Sequence, residues 1–217
     1  MRRMIAVAAA AALMGALIAV AVPATAGASS STECTGPLAP GTYRAVVVPD
    51  GAFCFGEGPV TIRGGLSIGA GATFQLGTDE GSVPTGTIGG GVRATNPASV
   101  EIHLATINGG IHVSGGSGAF GGPFGVTFIA IEDNVIHGGA SVVGYDGFWF
   151  GFIRNHVSGS VTLNDNVLVD PDGNEYVTNT IHGSLKCSGN SPAPQVGDSE
   201  GLPNVVTGQK IGQCSAV

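Results

Sequence analysis

The stretch Ile107-Asn108-Gly109-Gly110-Ile111-His112-Val113 decides the fold, because its pattern, apolar-x-Gly-x-apolar-x-apolar, returns along the chain. It recurs at residues 62–68, 88–94, 136–142, 157–163 and 181–187, and in degraded form at 206–212. The central glycines are Gly64, Gly90, Gly109, Gly138, Gly159, Gly183 and Gly208, at spacings of 26, 19, 29, 21, 24 and 25. The residue two places earlier is Ile or Val in all seven copies. Independently, Asn134, Asn155, Asn179 and Asn204 each stand four residues before a central glycine.

A period near 24 residues, with one conserved segment and variable remainders, reads as one turn of a β-solenoid per copy. The shared strand keeps its pattern because it stacks on its equivalent in the next turn, while the loops vary in solvent. Alternation then points the positions at −2, 0, +2 and +4 from the glycine inward. The −2 column runs Ile62, Ile88, Ile107, Ile136, Val157, Ile181, Val206, and the +2 column Leu66, Val92, Ile111, Ala140, Val161, Leu185, Lys210. The central glycine leaves room where the interior narrows or the strand bends. The Asn column predicts a ladder of side-chain amides bonded from turn to turn. The expectation is an all-β, single-domain parallel β-helix of about seven turns. A β-sandwich is the alternative, but its strands would not share one motif in register.

Composition agrees. The chain has 217 residues, of which 38 are glycine, 43% are apolar and 11% are charged, and its mean hydropathy is +0.33. Disorder needs a more polar and more charged chain. Collagen needs a three-residue glycine period, and a helical bundle tolerates glycine poorly. Arg2 and Arg3 precede an uninterrupted apolar run over residues 4–22, and Ala24-Thr25-Ala26 has the small-x-small form of a signal-peptidase site. Residues 1–26 therefore read as a signal peptide and 27–217 as the solenoid domain. The arginine pair suggests twin-arginine export, but its flanks fit general secretion better. Cleavage leaves 191 residues and, with Arg2 and Arg3 gone, takes the formal charge from −7 to −9. That charge argues against nucleic-acid partners, and no membrane association is expected after cleavage.

An even number of cysteines in an exported chain reads as disulfides. Cys34 and Cys54 lie near one end, and Cys187 and Cys214 near the other, so of three pairings we favour Cys34–Cys54 and Cys187–Cys214. The cysteines lack CxxC or CxH spacing, which argues against a metal site. A solenoid needs caps over its open β edges. The two disulfides and the degraded last copy, with Lys210 at an inward position, fit that need.

The run Asn179-Thr-Ile-His-Gly-Ser-Leu-Lys-Cys-Ser-Gly-Asn190, followed by Pro192-Ala-Pro194 and then by 202–208 and Gly212-Gln-Cys214, resembles the carboxyl-terminal segment of a group of uncharacterised exported actinobacterial proteins. The resemblance extends to Val46-Val-Val-Pro49 and Cys54, and covers the middle only as a repeat. It implies a right-handed parallel β-helix and a location outside the cell. It brings no catalytic residues.

Acid–base cleavage of a glycan needs paired carboxylates, and a calcium-assisted lyase needs a cluster of them. The outward positions of the repeated strand hold neither: they are Gly, Ser, Thr, Asn, Gln, Ile, Arg63, Arg93, Lys186, His112, His137 and His182. His137 and His182 share a column but stand two turns apart, roughly 10 Å, too far to share a metal. They and Trp149 are the candidate ligand contacts. Trp149 faces outward if Phe148, Phe150 and Phe152 face inward, where it would stack on a sugar. Asp165, Asp170 and Asp172 resemble part of a calcium loop, but the EF-hand spacing fails and Pro171-Asp172-Gly173 is an ordinary turn. Glu132 and Asp133, as strand neighbours, are expected on opposite faces at a solvated edge. His103 and His156 have no partner assignable from sequence. Residues 115–123 read as a flexible glycine-rich loop.

No catalytic residue, cofactor or metal is assigned from sequence. The leading expectation is a secreted, monomeric, non-enzymatic solenoid with a structural or adhesive role. A protein that binds or acts on cell-wall or extracellular glycan is the second. A self-assembling surface filament is the third, disfavoured by disulfide-closed ends.

Overall fold

A computed structural model describes residues 31–56, 58–196 and 201–217; the expected signal peptide lies outside them. Each repeat copy becomes two short strands joined at its glycine, as in Ala105–Ile107 and Ile111–Ser114, and a third strand such as Ser99–His103 completes the turn. Three stacks result. Sheet A has nine strands, from Thr32–Glu33 to Lys210–Gly212; sheet B has seven, from Pro37–Leu38 to Asn174–Val177; sheet C has eight, from Gly41–Tyr43 to Val205–Val206. The chain visits A, B and C in rotation and pairs in parallel with the turn before and the turn after. This is a three-sided parallel β-helix. The antiparallel pairing of a β-sandwich is absent from these sheets.

The register reproduces the columns read from sequence. Leu66, Val92, Ile111, Ala140, Val161, Leu185 and Lys210 are successive partners in sheet A. Ile62, Ile88, Ile107, Ile136, Val157, Ile181 and Val206 are successive partners in sheet C. Sheet B closes the core with Leu76, Ile102, Ile131, Phe152 and Tyr176. Except at the last turn, these residues are buried in one continuous cluster, which suits stacked β-branched and aromatic side chains.

The central glycines sit at the corner between sheets C and A rather than inside one strand. None needs a positive φ. They are required by space: a Cβ on Gly109 would lie 2.6 Å from the Gly90 carbonyl carbon, and one on Gly159 would lie 2.8 Å from the Gly138 oxygen. Backbones of successive turns come close along this column, and only a residue without a side chain fits. There are eight C-to-A passages, not seven. The first, Tyr43 to Val46, pairs with Ile62 and Leu66 but is one residue shorter and carries no glycine, so it escapes the pattern. The run over 43–49 is broken at that corner, into the strands Gly41–Tyr43 and Val46–Val48.

The amide ladder forms at the corner between sheets B and C. Asn155 Nδ2 donates to Ile131 O at 2.7 Å and to Asn179 Oδ1 at 3.0 Å, while its own Oδ1 accepts Asn134 N and Nδ2, both at 3.1 Å. Asn179 repeats the pattern onto Asn204. A second ladder at the corner between sheets A and B was not read from sequence: Asn166 N donates to Asn190 Oδ1, and Asn190 N to Gln213 Oε1. The corner beside it is marked by the residue six after the central glycine, next to Asn166 and Asn190 of the ladder. There Asn96, Gly115, Gly144, Asp165 and Gly189 all adopt positive φ, the region where Asn, Asp and Gly are the residues of choice.

Both expected disulfides form, with Cα separations of 5.5 Å for Cys34–Cys54 and 5.1 Å for Cys187–Cys214. The second ties the last complete turn to the 3₁₀ helix Gln213–Ala216, which covers the open end. Disulfides fit an oxidising, extracytoplasmic environment. No helix among the described residues is long and apolar enough to cross a membrane.

Candidate functional site

The glycine motif makes the outer face of sheet A legible, and that face is a shallow groove floored by Gly65, Gly91, Gly110 and Gly139 with Arg93 and His112 beside it. A cluster of carboxylates lies elsewhere, on the outer face of sheet B. Ser99-Val100-Glu101-Ile102-His103 buries Val100 and Ile102 inward, so Glu101 and His103 turn outward. In the next turn Phe128-Ile129-Ala130-Ile131-Glu132 presents Phe128, Ala130 and Glu132. One turn further, Trp149 and Gly151 follow. Ala130 and Gly151 are small, so the floor is low. The Trp149 ring lies across Gly151, where a Cβ would meet its Cζ2 at 2.8 Å, and its Nε1 donates to Glu175 Oε1 at 3.0 Å. The groove measures about 340 Å³ and is lined by Trp149, Phe128, Phe148 and Val126 on one side and by Asp79, Glu101, His103 and Glu132 on the other.

The polar side is tightly built. His103 is 1% exposed. Its Nε2 stands 3.3 Å from Glu101 Oε1 and its Nδ1 3.9 Å from Glu132 Oε2, yet neither nitrogen makes a hydrogen bond. Arg154 reaches over from the next turn. Its Nη2 lies 3.1 Å from Glu132 Oε2, 2.8 Å from Asp133 Oδ2 and 3.2 Å from Asp79 Oδ1, and its Nε donates to Asp133 Oδ1 at 2.8 Å. Burial pushes the Glu132 carboxyl up to about 7, against the pull of His103 and, more weakly, of Arg154; Asp79 adds to the rise by hydrogen bond and charge. The three carboxylates raise the Arg154 pKa further.

Several expectations change here. Glu132 and Asp133 do not sit on opposite faces at a solvated edge. The strand ends at Glu132, Asp133 takes a positive φ, alternation stops, and both carboxylates grip Arg154. Phe150 and Phe152 face the core, but Phe148 does not; it lines the groove beside Trp149, which is half-buried and outward. Residues 115–123 lead into a folded cover, with Phe120 bridged to Val126 and Phe124 packed 5.3 Å from Phe128 and 5.6 Å from Phe53, ring centre to ring centre. His137 and His182 are exposed near the corner between sheets C and A, with Ser158 between them in the same column, so they do not join Trp149. Asp165 sits at a corner between sheets A and B. Asp170 Oδ1 accepts Asp172 N at 3.1 Å within its turn, and these three do not form a ligand cluster among the described residues.

Sequence reading missed Glu101, His103, Asp79 and Arg154. The alternation of 99–103 and 128–132 is the signal for the first two, and it runs out of phase with the glycine motif, which marks sheet A. Compared with protein-family models, characterised proteins and solved structures, the chain matches none.

Proposed function

We propose that this is a secreted, disulfide-stapled β-solenoid that binds a neutral extracellular glycan along the outer face of sheet B. One observation carries the reading: an aromatic wall of Trp149, Phe128 and Phe148 faces a row of buried acceptors, Glu101 and Glu132, across a floor of Ala130 and Gly151. Aromatic faces take the apolar side of a sugar ring, and carboxylates take its hydroxyls. The carboxylates and the formal charge of −9 after cleavage, from −7 with Arg2 and Arg3 lost, disfavour an acidic polysaccharide. Cleavage needs two carboxylates facing one bond. Here both converge on His103 and one is clamped by Arg154, so the role is recognition, an adhesive function on a rigid scaffold. The export signal read at residues 1–26, the disulfides, and the resemblance of the chain ends to exported actinobacterial proteins support a place outside the cell.

The test is titration of the mature protein with soluble neutral cell-wall oligosaccharides and with polygalacturonate, read by fluorescence of Trp149, the sole tryptophan, and by calorimetry. Binding of a neutral oligosaccharide that weakens at least tenfold in Trp149→Ala is expected. Absence of binding, preference for polygalacturonate, or an affinity indifferent to that substitution would overturn the reading.

A further inference from the structure

We infer that Asp79, His103, Glu132 and Asp133 form a site for one divalent transition-metal ion at the edge of the sheet B groove. One ligand atom from each of the four lies within 4.8 Å of all the others, near the roughly 4.4 Å that opposite ligands on one ion span, so small side-chain shifts bring all four onto a single centre. Acidic clusters are common without an ion, so the weight falls on His103. Its side chain is 2% exposed, it points into the cluster, and both ring nitrogens lack a hydrogen bond. Buried polar atoms are almost always partnered, and a buried imidazole nitrogen aimed at carboxylates is what a metal ion satisfies. A ligating histidine ordinarily holds its second nitrogen against a carboxylate, and here Glu101 flanks the ring on one side and Glu132 on the other.

Arg154 is the competitor. Its guanidinium already touches Asp79, Glu132 and Asp133, which shows where positive charge belongs. It reaches them from the solvent side and is 37% exposed, so it has room to swing outward while His103 stays fixed in the wall. The donor set decides the class of ion. One imidazole nitrogen with carboxylate oxygens suits Zn²⁺ or Mn²⁺, whereas calcium takes oxygen ligands alone. The site differs from the acidic turn near Asp165, Asp170 and Asp172. It does not depend on the glycan reading, because the ion binds without sugar.

The experiment is calorimetric titration of the chelator-treated mature protein with Zn²⁺, Mn²⁺ and Ca²⁺ in the absence of any glycan, with Trp149 fluorescence as a second readout. One Zn²⁺ or Mn²⁺ per chain is expected, bound more tightly than Ca²⁺. Asp79→Asn, at an exposed loop position where the fold is safe, should weaken binding at least tenfold, and His103→Ala should abolish it. Arg154→Met should strengthen it at least threefold by removing the competitor. Zinc on exposed His112, His137, His156 or His182 would survive His103→Ala and Asp79→Asn, and that result would overturn the assignment. So would absence of saturable binding in both the wild type and Arg154→Met, or Ca²⁺ binding as tightly as Zn²⁺ and Mn²⁺.

Discussion

Replacing Asn155 by alanine tests the physics of the coil most directly. Asn155 is fully buried at the corner between sheets B and C, in the middle of its ladder. The substitution strips three groups of their partners at once. The backbone N–H of Asn134 and one N–H of its side-chain amide lose the Asn155 Oδ1 acceptor, each at 3.1 Å, and the Ile131 carbonyl loses the 2.7 Å bond from Nδ2. Asn179 Oδ1 keeps the backbone N–H of residue 155 at 2.9 Å, so it is not orphaned. A buried polar group left unpartnered costs about 1–3 kcal/mol, and three such groups put the loss at about 3–9 kcal/mol. Asn164 is the control. It is half-buried and makes one bond, accepting Ser188 N at 3.0 Å, so Asn164→Ala should cost about 1 kcal/mol or less. Urea unfolding of the oxidised proteins, followed by Trp149 fluorescence and far-ultraviolet circular dichroism, measures both. If Asn155→Ala falls within 1 kcal/mol of Asn164→Ala, the ladder is decorative and the argument fails.

Two further outcomes are expected. Gly109→Ala places a Cβ 2.6 Å from the Gly90 carbonyl carbon and the Gly91 nitrogen, against turns whose spacing is set by the ladders and sheets, and should cost about 1–3 kcal/mol; Gly36→Ala, with open space around it, should be near neutral by the same urea assay. Glu132 carries a pKa of about 7 in the fold and 4.5 when unfolded, so the folded state holds a proton that the unfolded chain releases. Its contribution is fully present below about pH 4.5 and is lost as pH rises through about 7, a change of about 3 kcal/mol. Glu132→Gln should flatten that part of the stability profile in chelator-treated protein, and identical profiles for wild type and variant would refute the account.

Much of the coil was legible because its contacts are nearly one-dimensional. A residue in a solenoid packs on its equivalent one turn away, so the column from Ile62 to Val206, the glycine corner and the ladder from Asn134 to Asn204 all print themselves as a repeat. The cysteines, two near each end of the chain, marked their own pairs. The first passage, Tyr43 to Val46, stayed hidden because it lacks one residue and the glycine, and those were the features that defined the pattern.

The sequence by itself therefore determined the parallel coil, its inner columns and its stapled ends; the three sides and the corner at each central glycine came from the structure. Only the tertiary structure decided which outer residues meet. Turns of 19 to 29 residues shift the outer face of sheet B out of phase with the glycines, so no fixed offset relates Asp79, Glu101 and His103, Glu132, Trp149 and Arg154. They come from a loop and three strand-and-corner segments, and they converge because parallel stacking brings segments far apart in sequence to one strand spacing. The left-handed backbone at Asp133 ends the alternation at that point, and turns two neighbouring carboxylates onto one arginine.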